Sequence, residues 1–215
     1  MKELTLIGAS GFVGTAIKNE ALSRSYRVNA LVRNTDKVEQ NDKVKAIEVD
    51  VMNEDALVSL LQGQTAIISA YNPGWNNPNI YDDLLKGYTT IMRAAKKAEL
   101  KRILIVGGAA TLFVKPNVTV LDAGFIPTEI MAGVKSLADF YTEHLLYERN
   151  IDWVFFSPAG NLASGERTGN YRLGKDELIV DVNGQSTISV EDYAKAMLDE
   201  FENQNHHTER FTIGY

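Results

Sequence analysis

The chain contains no cysteine. Disulfides, thiolate metal sites and a cysteine nucleophile are thereby excluded. Proline is scarce, at 5 in 215 residues, and no proline-rich or low-complexity linker divides the sequence. Histidine is rarer still, at 3. His144 is expected on a helix surface. His206 and His207 are adjacent and cannot share a helical face, and no carboxylate spacing completes a metal site, so they read as a solvated turn. Positive charge is in deficit: Lys and Arg number 22 against 28 Asp and Glu, for a net charge of −6. Without a basic cluster, a nucleic-acid backbone is not the expected partner. Long apolar runs are missing too. The most apolar stretch, Ile103 to Val114, is 12 residues long and too short to span a bilayer. Strand-like sequence from Lys2 onward leaves no room for a leader peptide, so the expectation is a cytoplasmic protein without membrane contact.

What is present is alternation. Leu4–Ile7, Arg27–Val32, Val44–Val49, Ala66–Ala70, Ile103–Val106 and Trp153–Phe156 read as strands. Between them lie helical patterns, one opened by an Asn53 N-cap with Glu54 and Asp55 in its first turn. Tyr81, Leu84, Leu85, Tyr88, Met92 and Ala95 share one helical face, and Ile130, Val134, Leu137, Ala138, Tyr141 and Leu145 share another. Parallel neighbours need crossover helices, so this order predicts an α/β fold: a doubly wound Rossmann-type parallel sheet with helices on both faces. Residues 1–215 are expected to form one domain. Within it, residues 159–190 form a turn-rich substrate-side segment, the start of a small C-terminal extension. Asn183-Gly184 predicts a hairpin between "LIVDV" and "QSTIS". Ser189 predicts the start of a helix whose many acids form a solvated face, and "RFTIGY" predicts a last strand.

The first strand runs straight into "GASGFVG". Gly8 supplies a turn that a Cβ would forbid. Gly11 lets the main chain approach a pyrophosphate, and Gly14 lets the helix lie close on the sheet. The N–H groups at the helix start then face the anion, which points to dinucleotide binding. Arg33, at the end of the second strand, matches a 2′-phosphate bidentately, so NADP(H) is preferred over NAD(H); the bland alternative is a solvated loop charge. Ser10 adds a hydroxyl within the glycine loop.

With "IGASGFVG", "LVRN", "IISAYNPG", "ILIVGGAATLFV", "FFSPAG", "GERTGNYRLGKDEL" and "ISVEDYAKAMLDE", the chain resembles the atypical short-chain dehydrogenase/reductases, among them NADH-flavin reductase, biliverdin reductase B-like and NmrA-like NAD(P)-binding proteins. The resemblance spans nearly the whole chain. It implies that Phe12 and Val13 join the glycine loop at the cofactor, that Asp50 and Val51 meet the adenine, and that Ser69, Ala70, Tyr71, Gly107 and Gly108 border the crevice. It also implies that Pro158 shapes the nicotinamide pocket, and it leaves a homodimer open.

Ordinary members of that superfamily reduce carbonyls and need a tyrosine acid, a lysine four residues on, and a serine after the fifth strand. Here Lys135 stands in the lysine place, Met131 in the tyrosine place and Ala109 in the serine place, with Thr111 the nearest hydroxyl. Lys135 and Thr111 are the remaining catalytic candidates. An oxidised flavin takes hydride without forming an alkoxide, so a small flat redox acceptor removes the need for the acid. Met131, Trp75, Phe113 and Tyr71 are candidates to line such a cavity, with Arg167 and Tyr171 framing it; core packing, and for Arg167 a surface ion pair, are the alternatives. The resulting expectation is an NAD(P)H-dependent reductase acting on a flavin-like or quinone-like substrate. A non-catalytic dinucleotide-binding redox sensor is the rival.

Overall fold

The computed structural model describes residues 2–215. Strand β1 (Glu3–Ile7) enters the centre of an eight-stranded sheet. Helix α1 (Phe12–Ser23) carries the chain back to β2 (Arg27–Val32), which pairs with β3 (Val44–Glu48). Helix α2 (Glu54–Leu61) then returns the chain to β4 (Ala66–Ser69), on the other side of β1. Helix α3 (Ile80–Lys97) leads to β5 (Arg102–Val106), followed by a short pair, β6 (Phe113–Lys115) and β7 (Val118–Thr119). Helix α4 (Thr128–Asp139) leads to β8 (Asp152–Ser157). Strands β9 (Asn161–Ala163), β10 (Arg172–Gly174) and β11 (Thr187–Ser189), helix α5 (Val190–Asn203) and β12 (Glu209–Gly214) complete the chain. The large sheet runs β10-β12-β8-β5-β4-β1-β2-β3, parallel throughout except at β10. Its order reverses between β1 and β4, the place where such sheets leave a crevice at their carboxyl ends.

Helices α1 and α5 cover one face, and α2, α3 and α4 the other. Being covered twice, the strands are apolar on both sides: β5 sends Leu104 to the first layer and Ile103 and Ile105 to the second. The first layer is knit by stacked rings, with Phe156 4.4 Å from Tyr193 and 4.0 Å from Phe211. Two predicted caps are in place. Asn53 accepts from the Ala56 N–H at 3.1 Å, and Ser189 accepts from the Asp192 N–H at 3.0 Å.

Four expectations are corrected. The hairpin at Asn183-Gly184 is only a turn: Gly184 has φ +76°, but the Leu178 N–H goes to the Phe113 carbonyl, and β11 pairs in parallel with β9. The helical stripe from Ile130 to Leu145 is not one α-helix, because Phe140–His144 forms a π-helical turn and Leu145–Tyr147 a 3₁₀ turn. The acids of α5 do not all face water: Asp192 and Glu200 are buried. His206 is no solvated turn residue either. Its ring stacks 4.0 Å from Phe211 and its Nδ1 lies 2.7 Å from Glu200, a carboxylate that also receives the buried Arg102 guanidinium. No metal-binding cluster of His and acids occurs among the described residues.

Candidate dinucleotide and acceptor site

The glycine loop is built as an interlock. Gly8 has φ +78°, and a Cβ there would sit 2.4 Å from the Ala70 carbonyl oxygen, inside β4's own continuation. Thus the first glycine allows both the turn and the close passage of β1 beside β4. A Cβ on Gly14 would lie 2.1 Å from the Gly8 oxygen, so the helix packs on the turn itself. Gly11 differs. Its φ of −77° suits any residue, and the nearest atom to an added Cβ, the Gly8 oxygen, is 3.5 Å away. No local backbone demand explains a glycine there, whereas an approaching ligand would. Gly11 is the N-cap of α1, it offers no side-chain cap, and the first turn holds no acid. The N–H groups of Phe12, Val13 and Gly14 therefore form an uncapped positive end beside the crevice, which is the fit a diphosphate requires.

At the end of β2, Arg33 follows the strand directly and is exposed. Its Nη2 donates to the Pro73 carbonyl at 2.9 Å, its one hydrogen-bond partner among the described residues. Asp50 is exposed and its carboxylate accepts from the Met52 N–H, while Val51 is buried against the second layer. Ser69 is fully buried and its hydroxyl has no hydrogen-bond partner among the described residues. The Ala70 N–H donates to the Ile7 carbonyl at 2.9 Å, locking β4 to β1 at the crevice.

Tyr71 is corrected as a pocket wall. Its ring lies under α3, where a Cβ on Gly87 would come within 2.2 Å of it, and its hydroxyl donates to the Asp83 carbonyl. Burial pushes that phenol up to about 12, with the Arg33 charge opposing.

At the far side of the crevice, the Gly107 N–H donates to the Phe156 carbonyl at 2.8 Å, and an added Cβ would strike the Phe155 ring at 2.6 Å. Gly108 faces Leu137 of α4. Pro158 is buried immediately after β8. Trp75 is half exposed and its indole lies against α4, 2.8 Å from where a Gly133 Cβ would be, while the half-buried Met131 lies on a different face of the same helix. Phe113 is tied through its backbone to Asp176 and Leu178.

Both weak catalytic candidates are engaged elsewhere. The Thr111 hydroxyl accepts from Arg210 at 2.7 Å. Lys135 pairs with Asp139, and its Nζ lies 5.6 Å from the Tyr81 ring centroid. Arg167 and Tyr171 are corrected as acceptor contacts. Arg167 grips Glu20 of α1 with two bonds of 2.7 and 2.8 Å, and the Tyr171 hydroxyl meets Asp199 and Lys195 of α5. Both belong to the α1/α5 layer, away from Trp75 and Met131. The ion-pair alternative for Arg167 is the one observed. Its hydrogen bonds hold the buried Glu20 carboxyl below the usual carboxylate range.

Sequence reasoning missed a groove of about 360 Å³ bordering the glycine loop, lined by Ser10, Phe12, Thr15, Asn19, Ser164 and Glu191. The signal was available in part, since positions 12, 15 and 19 share one face of α1. A second cavity of about 440 Å³, between α3 and the π-helical turn, includes Lys96 and Glu148. It lies near the end of α3, towards the amino ends of the strands and away from the crevice.

Residues 8–204 match the family model described as NAD(P)H-binding. The Bacillus subtilis protein YwnB is 35% identical over 98% of this chain and 97% of its own length. The crystal structure of a "putative epimerase" from Bacteroides thetaiotaomicron is 51% identical, covers 100% of this chain and 97% of that one, and superimposes with a TM-score of 0.93. That of a "putative NADH-flavin reductase" from Streptococcus pneumoniae is 30% identical, with coverages of 100% and 99% and a TM-score of 0.86. No helix among the described residues is long and apolar enough to cross a membrane.

Proposed function

Because the chain belongs to the NAD(P)H-binding family, we propose that it is an NADPH-dependent reductase passing hydride to a flat, flavin-like acceptor without a proton donor of its own. When bound, the dinucleotide would supply the hydride. The chain's part is to hold and orient. The uncapped start of α1 would receive the diphosphate, Arg33 would receive a 2′-phosphate, and Pro158 with Gly107 would border the nicotinamide. Trp75 would offer apolar surface for a flat ring, with Met131 a further candidate on another face of α4.

The observation that carries this reading is an interlocked anion cradle beside a missing proton relay. By the family resemblance Met131 stands where the acid would be, and the two remaining candidates, Thr111 and Lys135, are turned to Arg210 and Asp139. Carbonyl reduction and sugar epimerisation both move a hydroxyl proton, so they suit this site poorly. The likeness to the streptococcal protein supports the flavin side of the reading.

The test is NADPH oxidation by purified protein with FMN, FAD, riboflavin and simple quinones in turn. The expected result is turnover well above the protein-free blank with at least one of them. Absence of turnover with all, together with calorimetry that separates oxidised from reduced dinucleotide, would move the assignment to a redox sensor.

A further inference from the structure

The one hydrogen bond that Arg33 makes among the described residues does not stay within the cofactor side. Pro73, which accepts it, lies in the loop between β4 and α3 that carries Trp75. That loop is a compact turn with few outside ties. The Gly74 N–H donates to the Asn72 side chain at 2.7 Å, Gly74 sits at φ +114°, and the Asn77 N–H returns to the Gly74 carbonyl at 3.0 Å. Asn77 anchors the far end through Asp83, 2.8 Å away. Between those anchors, Arg33 grips the loop from one side and Trp75 rests on α4 at Gly133 from the other.

We propose that Arg33 is a positioning residue for the acceptor side: a 2′-phosphate held by its guanidinium fixes the Pro73 carbonyl and thereby Trp75. This rests on the NADPH reading above. A guanidinium has five N–H donors in a rigid fork. One terminal nitrogen holds Pro73, and the remaining donors can take two phosphate oxygens without releasing it. An exposed arginine without the phosphate samples many rotamers, and the loop bond lasts only as long as the rotamer does. A dianion that confines the side chain makes the bond to Pro73 persistent. By linkage, a settled loop tightens the phosphate by the same factor. A 2′-hydroxyl, as in NAD(H), gives the fork little to hold, so the loop stays loose.

The experiment uses fragments without a nicotinamide, so no chemistry intervenes. The protein is saturated with 2′,5′-ADP or with 5′-AMP, binding is followed by calorimetry, and iodide quenching of tryptophan fluorescence is measured. Trp75 is half exposed and Trp153 is buried, so iodide reports on Trp75, and Trp75→Phe identifies its share. Saturating 2′,5′-ADP is expected to lower the Trp75 quenching constant at least twofold, while 5′-AMP leaves it unchanged. Arg33→Ala, at saturation with 2′,5′-ADP, should lose that protection. Tight 2′,5′-ADP binding without protection of Trp75 would overturn the coupling and leave the NADPH reading standing. Binding of 2′,5′-ADP no tighter than 5′-AMP would overturn both. Protection persisting in Arg33→Ala would overturn the role of the guanidinium.

Discussion

Gly11 caps α1 and Gly14 lies in its first turn, three residues on, yet their replacement should have opposite consequences. In Gly14→Ala the new methyl would sit 2.1 Å from the Gly8 oxygen, against the 3.4 Å at which ordinary contact begins. Neither partner is a flexible side chain, so α1 must move by about 1 Å or the turn must open. Overpacking of this kind costs about 1–3 kcal/mol. The better helix propensity of alanine returns up to ~1 kcal/mol. A net loss of about 1 kcal/mol lowers the melting temperature of a chain this size by roughly 2–4 °C. In Gly11→Val the backbone angles are already suitable and the nearest atom is 3.5 Å away. The fold should lose no more than ~1 kcal/mol, the cost of a poor N-cap. The new side chain, however, stands at the uncapped helix start. NADPH affinity should fall at least tenfold, about 1.4 kcal/mol. Thermal unfolding and calorimetric NADPH titration on both variants separate the two effects. Unchanged NADPH affinity in Gly11→Val, or an unchanged melting temperature in Gly14→Ala, would refute the division of labour.

Other outcomes follow from particular side chains. Arg33→Met should weaken NADPH about tenfold and leave NADH unchanged, which competitive titration would reveal. The Glu20 carboxyl, held down chiefly by the Arg167 hydrogen bonds, contributes stability fully present above its ordinary value of 4.5 and lost as the pH falls through its lower folded value. Acid unfolding curves of Arg167→Gln should therefore lie closer to pH-independence below about pH 4.5 than those of the parent, with a loss of about 1 kcal/mol at neutral pH. Asp192 is buried and accepts from the Thr168 hydroxyl, the Gly169 N–H and the Tyr215 hydroxyl. Asp192→Asn turns an acceptor into a donor among donors and should cost about 2 kcal/mol in chemical denaturation.

The layered sheet was legible because its signals are local. The β/α alternation, the Asn53 and Ser189 caps and the glycine loop each lie within a few residues of what they organise. The misreadings involve partners far apart in the chain. Arg167 meets Glu20 across 147 positions, and nothing in "GERTGNYR" announces a carboxylate on α1. The hairpin failed for a similar reason: Asn183-Gly184 makes its turn, but Leu178 had already been claimed by Phe113 on the other side of the chain. Tyr71 misled because a strand-end aromatic can face the crevice or the core, and only the bare Cα of Gly87 makes room for it below. Buried acids on α5 were hidden by a composition that reads as solvent-facing until Arg102 and Tyr215 are brought up against them.

Strand β12 lies between β8 and β10, so the sheet is closed by a late segment inserted into its interior. During synthesis, before β12 has emerged, the flank of β8 from Val154 to Phe156 is an unpaired edge of apolar residues. Such an edge invites pairing with another nascent chain. Until β12 is in place that edge stays bare, so chaperone dependence should fall once Glu209–Gly214 has emerged and docked.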